Sequence, residues 1–167
     1  DQNNRGDAAG EMGDDLPTVD LGTGKTAKQL AAGGYHTCAV LNDDTLKCWG
    51  RGSNGQLGYG DTSNRGANAN EMGDNLPVVN LGTGKTAKQV VAGKHHTCAV
   101  LNDDTVKCWG IGGNGRLGIG STTDKNTPQE VNLGTGKTAK QLVAGSSHTC
   151  AVLNDDTVKC WGSGNNG

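Results

Sequence analysis

Along the chain, apolar residues come in short runs of about 4–6, each bounded by Gly, Asn, Asp or Pro. Runs that short, broken that often, predict strands and turns rather than helices. The clearest case is residues 38–48, "CAVLNDDTLKC". Centred on Asp43, it folds back as a hairpin about the three-residue turn Asn42-Asp43-Asp44, residue types that tolerate the left-handed backbone such turns need. Leu41 then faces Thr45, Val40 faces Leu46, Ala39 faces Lys47 and Cys38 faces Cys48. Strand alternation puts Cys38, Val40, Leu46 and Cys48 on one face and Ala39, Leu41 and Trp49 on the other. Both faces are largely apolar, so each small sheet must be covered twice, and stacking of like units does this.

The pattern is repeated through the whole chain, and repetition outranks any single motif in deciding a fold. "HTCAVLNDDT" occurs at 36–45, 96–105 and 148–157, each time followed by Leu or Val and "KCWG". "RGSNGQLGYG" (51–60) matches "IGGNGRLGIG" (111–120), and "SGNNG" (163–167) opens a third copy. The units divide as 1–60, 61–120 and an incomplete 121–167, about 2.8 repeats with lengths of 60, 60 and 52 residues when spaced by the shared motifs. The difference of eight lies between residues 61–80 in the long unit and 121–132 in the short one. Length variation confined to one segment predicts a loop on a constant scaffold. The chain opens on Asp1 in register with Asp61 and stops inside the third unit, which reads as part of a longer array or of a multi-chain assembly.

Composition narrows the class further. Glycine supplies 29 of 167 residues, Phe is absent and hydrophobic residues make up 32%. A helical domain rarely tolerates so much glycine, so the fold class is all-β. No stretch approaches the ~18 apolar residues of a membrane helix. A net charge of −2 argues against a nucleic-acid surface, which carries a basic patch.

The hairpin register places Cys38 opposite Cys48, Cys98 opposite Cys108 and Cys150 opposite Cys160. Directly paired antiparallel residues approach closely enough for a disulfide. All six cysteines are then used, which points to an oxidising compartment and an extracellular or cell-surface location. From loop-closure entropy each bridge is worth roughly 2.5–3 kcal/mol, a large share for units so poor in core. Two rival readings stay open: a zinc site from His36, Cys38 and Cys48, which lacks a fourth ligand, and free structural thiols.

"LGTGKTAKQ" at 21–29, 81–89 and 133–141 invites comparison with a phosphate-binding loop. That loop needs a glycine five residues before Gly24, where Val19 stands; the third copy has Val131. The seven residues 27–33 are also too short for the required helix. A glycine-rich turn joining two strands fits better, so no cofactor is expected. The Arg5-Gly6-Asp7 tripeptide is matched internally by Arg65-Gly66-Ala67 and is not preserved as an adhesion motif. Acidic residues of the loops (Asp7, Glu11, Asp14, Asp15; Asp61, Glu71, Asp74) have no EF-hand spacing, so no metal is assigned.

The phrase "AGGYHTCAVLNDDTLKCWGRGSNGQLGYG" (32–60) resembles the repeat of the regulator of chromosome condensation family, in its extracellular, cysteine-containing variety. The resemblance implies a β-propeller of four-stranded blades, usually seven, and this chain holds too few units to close such a ring. It also implies that Trp49, Trp109 and Trp161 pack blade against blade. His36, His96 and His148 become structural histidines bonding backbone within each blade, while His95 lies outside the pattern and reads as exposed. The family spans nucleotide exchange on a small nuclear GTPase, chromatin binding and β-lactamase inhibition, and a scaffold match does not choose among them. No serine-histidine-acid set exists, so no catalytic residue is assigned and the chain reads as a non-enzyme. The reading from sequence is therefore a secreted structural repeat protein that self-associates into a fibre or surface assembly, or else an extracellular propeller binding a protein or glycan partner.

Overall fold

The computed structural model of the chain describes residues 4–164. The end of the third "SGNNG" motif lies outside the described residues. Among the described residues ten strands form three antiparallel sheets, and no helix is long and apolar enough to cross a membrane. The first sheet contains β1 (Ala27–Ala32), β2 (His36–Leu41) and β3 (Leu46–Gly50). The second contains β4 (Ala87–Ala92), β5 (His96–Leu101), β6 (Val106–Gly110) and β7 (Lys125–Val131). The third contains β8 (Ala139–Ala144), β9 (His148–Leu153) and β10 (Val158–Gly162). Strands β1, β4 and β8 touch one another in succession, so they line the inner side of an arc of three propeller blades.

Each hairpin is set by its turn. The Leu41 N–H donates to the Thr45 carbonyl at 2.9 Å, and Asp44 takes a φ of 63°. The Asp43 carboxylate accepts from the Thr45 hydroxyl at 2.7 Å. With the turn fixed, Cys38 pairs with Cys48, Ala39 with Lys47 and Val40 with Leu46. The same register recurs at Cys98 and Cys108 and at Cys150 and Cys160.

The core lies between blades, not within them. Cys38, Val40, Leu46 and Cys48 of the first blade meet Val90, Ala99, Leu101 and Trp109 of the second. The equivalent face of the second blade (Cys98, Val100, Val106, Cys108) meets Leu142, Ala151 and Leu153 of the third. Each seam is also stitched by backbone: Ala87 N–H to the Asp44 carbonyl at 3.0 Å, Gly34 N–H to the Gly93 carbonyl at 3.2 Å. Gln29 reaches across to the Val90 N–H at 3.1 Å, and Gln89 to the Leu142 N–H at 2.8 Å. A glutamine thereby occupies the open inner edge of the next strand, which would otherwise offer unpaired donors.

Blade and repeat boundaries do not coincide. β7 begins inside residues 121–167, the third repeat, yet its partner is β6 of the second blade. Four strands are present only there; among the described residues the first and third blades have three. The four-stranded propeller blade is thus complete in the second unit, and the first blade shows what stands in for its fourth strand. Arg65 bridges Gly50 as Lys125 bridges Gly110, and Val79 donates to the Leu46 carbonyl at 2.7 Å where Val131 pairs with Val106. Between these anchors stand residues 66–78 in the long unit and 126–130 in the short one. The longer segment leaves the sheet, makes a 3-10 turn at Gly73–Asn75, and packs back on residues 20–23 through Asp20, Thr23 and Asp74.

The middle of the absent strand is replaced by one hydroxyl. Tyr59 Oη accepts from the Cys48 N–H and donates to the Cys48 carbonyl, both at 2.9 Å. In the second blade Cys108 pairs with Gln129 of β7, and the residue equivalent to Tyr59 is Ile119. Burial holds the Tyr59 phenol up at about 12, so it stays a donor at any working pH. Tyr59→Phe leaves two backbone groups of Cys48 without partners. It is expected to lower unfolding free energy by about 1–3 kcal/mol in denaturant titration of the oxidised protein; a loss under ~0.5 kcal/mol would show that water serves equally well.

Candidate functional site

Two sets of side chains lie at the end of the arc where β1 passes into β2. The first is a ladder through the blades. His36 Nε2 lies 2.7 Å from Thr97 Oγ1 in the next blade, and His96 Nε2 lies 2.9 Å from Thr149 Oγ1. Thr97 and Thr149 spend their single hydroxyl protons on the carbonyls of Gln56 and Arg116, at 2.8 and 3.2 Å. Each threonine must then accept from histidine, which fixes the Nε2–H tautomer and leaves Nδ1 a bare acceptor. Both Nδ1 atoms are buried without a partner.

The expected backbone bond within each blade is thus replaced by a side-chain bond between blades. The glycines explain how the ring fits: a Cβ at Gly33 would stand 2.6 Å from the His36 ring and 2.5 Å from the Gly93 carbonyl. Gly93 is equally crowded by His96, and Gly145 by His148. His148, in the last blade, is exposed.

The other sequence-singled residues fall as follows. The sulphurs are bonded as Cys38–Cys48, Cys98–Cys108 and Cys150–Cys160, with Cα separations of 4.1, 4.1 and 4.0 Å, so no thiolate is left for zinc. Trp109 is fully buried and donates from Nε1 to the Gln56 carbonyl at 2.9 Å, against Gly58 of the preceding unit. Trp161 occupies the matching place against Gly118, half-buried. Trp49 is half-buried beside Gly66 of the long loop.

The "LGTGKT" segment is a turn closed by the Lys25 N–H on the Gly22 carbonyl at 3.0 Å, and its third copy joins β7 to β8. Lys25 is paired with Asp43, Lys85 with Asp103 and Lys137 with Asp155, so the lysine of the supposed phosphate loop is held by the hairpin tip. Those lysines hold the three carboxyls well below the usual range. Glu11 and Glu71 are used as local caps: Glu11 accepts from three backbone N–H groups (Gly6, Asp7, Ala8) and Glu71 from Ala67 and Asn68.

The second set is the rim above the ladder, which sequence reasoning passed over except to place His95 at the surface. His95 is instead half-buried, because the seam brings the Tyr35 ring onto it, centroids 5.0 Å apart and planes at 25°. The Arg51 guanidinium lies 5.5 Å and the Lys94 ammonium 5.9 Å from the Tyr35 centroid. Beneath the loops of the rim is an open groove floored by Gly33, Gly93 and Gly145. Tyr59 was missed as well. Its signal was present: the Tyr59/Ile119 difference coincides with the change of unit length.

Residues 27–56, 87–116 and 139–167 match the Regulator of chromosome condensation (RCC1) repeat, and a second form of the same repeat matches 43–100 and 103–152. The chain belongs to the RCC1 repeat family. It is 30% identical over 184 residues to the ultraviolet-B receptor UVR8 of Arabidopsis thaliana, covering 83% of this chain and 42% of UVR8. Its fold is similar to yeast RCC1 (Prp20), solved bound to Kap60, at a TM-score of 0.69 and 20% identity, covering 88% of this chain and 32% of that one. It is also similar to the ectodomain of the receptor kinase CR4 of Physcomitrella patens, with a TM-score of 0.50 and 26% identity over 84% of this chain and 29% of that one. The chain thus spans less than half the length of these relatives. As an RCC1-type propeller arc it is all-β with tandem repeats, and its three disulfides are consistent with an extracellular location.

Two measurements probe the ladder. Burial lowers His36 and His96 to about 4, against 6.5 for a free histidine, with a smaller push from His95 on the first and from Arg116 and the other histidines on the second. The unfolded chain therefore takes up protons that the folded chain refuses. Stability is full above about pH 6.5, falls as pH drops toward about 4, and then levels with respect to these groups. The loss is at most about 3 kcal/mol per histidine. The lowered Asp43, Asp103 and Asp155 titrate below this window. Denaturation midpoints measured across the window should drop steadily; a flat profile would place the protonated rings in the fold.

Trp109→Ala removes a buried indole and one of the two donors to the Gln56 carbonyl, leaving that of Thr97. It should cost roughly 3–5 kcal/mol in the same titration, and a cost below ~1 kcal/mol would mean the seam collapses around the gap.

Proposed function

We propose that this chain works without catalysis as a disulfide-stapled scaffold in an extracellular setting, its end faces covered by further blades of the same kind. One contrast carries the reading. Val106 of the second blade is covered by the third and has 0% exposure, whereas its equivalent Val158 in the third blade is 61% exposed. At the other end Val90 and Leu142 are each 1% exposed and their equivalent Leu30 is 61% exposed. The two exposed faces are the two halves of the seam already present twice inside the chain. Placed head to tail, a second copy repeats that seam and extends the arc as a filament or closes it as a ring.

Non-catalytic use fits a site whose prominent residues serve packing. The yeast RCC1 structure, solved with Kap60 bound, supplies a precedent for a protein of this fold in complex with another protein. The CR4 ectodomain, by its position in a receptor, supplies one for an RCC1-like arc outside the cell. A second reading, an extracellular binding module for a protein or glycan partner, is favoured by the rim, where Tyr35 remains 48% exposed between two cations.

Sedimentation velocity across concentration tests the assembly. The oxidised chain should gain mass as concentration rises. Leu30→Lys and Val158→Lys should each block one half of the seam and stop growth, and mixing the two variants should give dimers through the remaining good pair of faces. A monomer unchanged by dilution at micromolar concentration would overturn the reading, and so would growth unaffected by either lysine.

A further inference from the structure

We infer that the rim formed by Tyr35, Arg51, Lys94 and His95 is a binding site for an acidic peptide segment. The inference rests on the reading of the rim as a partner surface and is independent of blade stacking.

The first support is where the units differ. Aligned from Ala27, Ala87 and Ala139, they keep the same residue or the same apolar class through most of the blade. Chemistry changes at Ser53/Gly113, Gln56/Arg116 and Tyr59/Ile119 and, in all three units, at three positions that are neighbours in space: Gly34, Lys94 and Ser146; Tyr35, His95 and Ser147; Arg51, Ile111 and Ser163. In space these are one patch. The Arg51 N–H donates to the Tyr35 carbonyl, Ile111 to His95 and Ser163 to Ser147, each at 2.9 Å. The bond from Gly34 to Gly93 and that from Lys94 to Ser146, at 3.3 Å, lay the three loops side by side. The third unit builds the same backbone with serine at all three positions, so packing does not demand Tyr, His, Arg or Lys there.

The second support is charge. At the hairpin end six repeated lysines have their aspartates: Lys28 with Asp44 at 2.6 Å, Lys88 with Asp104 at 2.7 Å and Lys140 with Asp156 at 2.6 Å, besides the three pairs at Asp43, Asp103 and Asp155, while Lys47, Lys107 and Lys159 donate to backbone carbonyls. At the rim, among the described residues, Arg51 and Lys94 have no ion pair; Arg51 donates only to Ser53 Oγ, at 2.7 Å. Lys94, Arg51 and the buried Arg116 all push His95 below its ordinary value, after burial itself, so their fields add at this spot. On a chain that is acidic overall, the rim thus gathers two cations without an ion pair of their own.

The third support is shape. Ala32, Ala92 and Ala144 wall a groove of about 420 Å³ between the loops, next to the half-exposed Tyr35 ring. Two cations beside an aromatic ring and small apolar walls match a carboxylate next to an aliphatic or aromatic side chain. Two or three charges on an acidic chain are too few for a nucleic-acid backbone, which needs a stripe of them.

The test uses fluorescence anisotropy of the oxidised chain with a fluorescein-labelled peptide of alternating Glu and Leu. Its counterpart with Gln for Glu and a labelled single-stranded DNA serve as comparisons. Saturable binding of the Glu peptide is expected, at least about tenfold tighter than the Gln peptide. Arg51→Ser with Lys94→Ser gives the rim the residues of the third unit. This double variant should weaken binding roughly tenfold with an unchanged near-ultraviolet spectrum, while Lys28→Ser at the opposite end should leave it unchanged.

Failure of the Glu peptide to bind, equal binding of the Gln peptide, stronger binding of the DNA, or indifference to the double variant would each overturn the proposal. Sedimentation of the same double variant keeps the two readings apart. Peptide binding lost with assembly intact assigns the rim alone, and assembly absent with peptide binding intact sinks blade stacking alone.

Discussion

A sheet of three short strands with apolar side chains on both faces has no stable surface to show to water. That constraint governs this molecule. No blade owns a core: the two hydrophobic clusters lie in the seams, each built half from one unit and half from the next. Stability therefore accumulates with the number of seams, as in other stacked repeats. The side chains that decide it are those whose partners lie in a neighbouring unit. The disulfides act within this scheme by tying each hairpin at its middle, so that a unit presents its faces already formed.

Close approach between seams explains the glycines beside the histidines. A histidine ring seated over Gly33 or Gly93 reaches the threonine of the next blade only because neither glycine has a side chain. The ring is kept neutral by burial, and its unpaired Nδ1 is a standing cost that the seam carries. The outer edge has a different solution. Where the connecting segment is short, a strand pairs there; where it is longer, the Tyr59 hydroxyl takes the place of that strand at Cys48. A local change in loop length is thus answered by one residue in the stretch before it.

The hairpins were legible in the sequence because their information is local. A turn centred on Asp43 and a period of two determine every partner from Val40–Leu46 to Cys38–Cys48. The stacking of faces followed from the same alternation. The histidine bond was not legible: Thr97 stands 61 residues from His36, and sequence neighbours alone favoured a partner inside the blade. The place of the fourth strand was hidden for a related reason. A repeat unit counted along the chain need not begin where a blade begins, and β7 falls on the far side of that cut. His95 beside Tyr35 escaped because each is polar, singular and unmatched in the repeat, which reads as surface until the seam brings the rings together.

The near-identity of the units separates scaffold from specificity. Positions fixed by packing recur in every copy, since each seam imposes the same demands on the residues that fill it. A position free of those demands can change without cost to the fold, and the third unit demonstrates such freedom with three serines at the rim. The backbone at Tyr35, Arg51, Lys94 and His95 therefore leaves the choice of side chain open. They also crowd two cations around one half-exposed ring, an arrangement that self-repulsion disfavours unless a negative group lies between them. The scaffold pairs aspartates with lysines at the hairpin tips, whereas among the described residues neither Arg51 nor Lys94 has an ion pair. The acidic segment proposed above would supply the negative group that this arrangement accommodates.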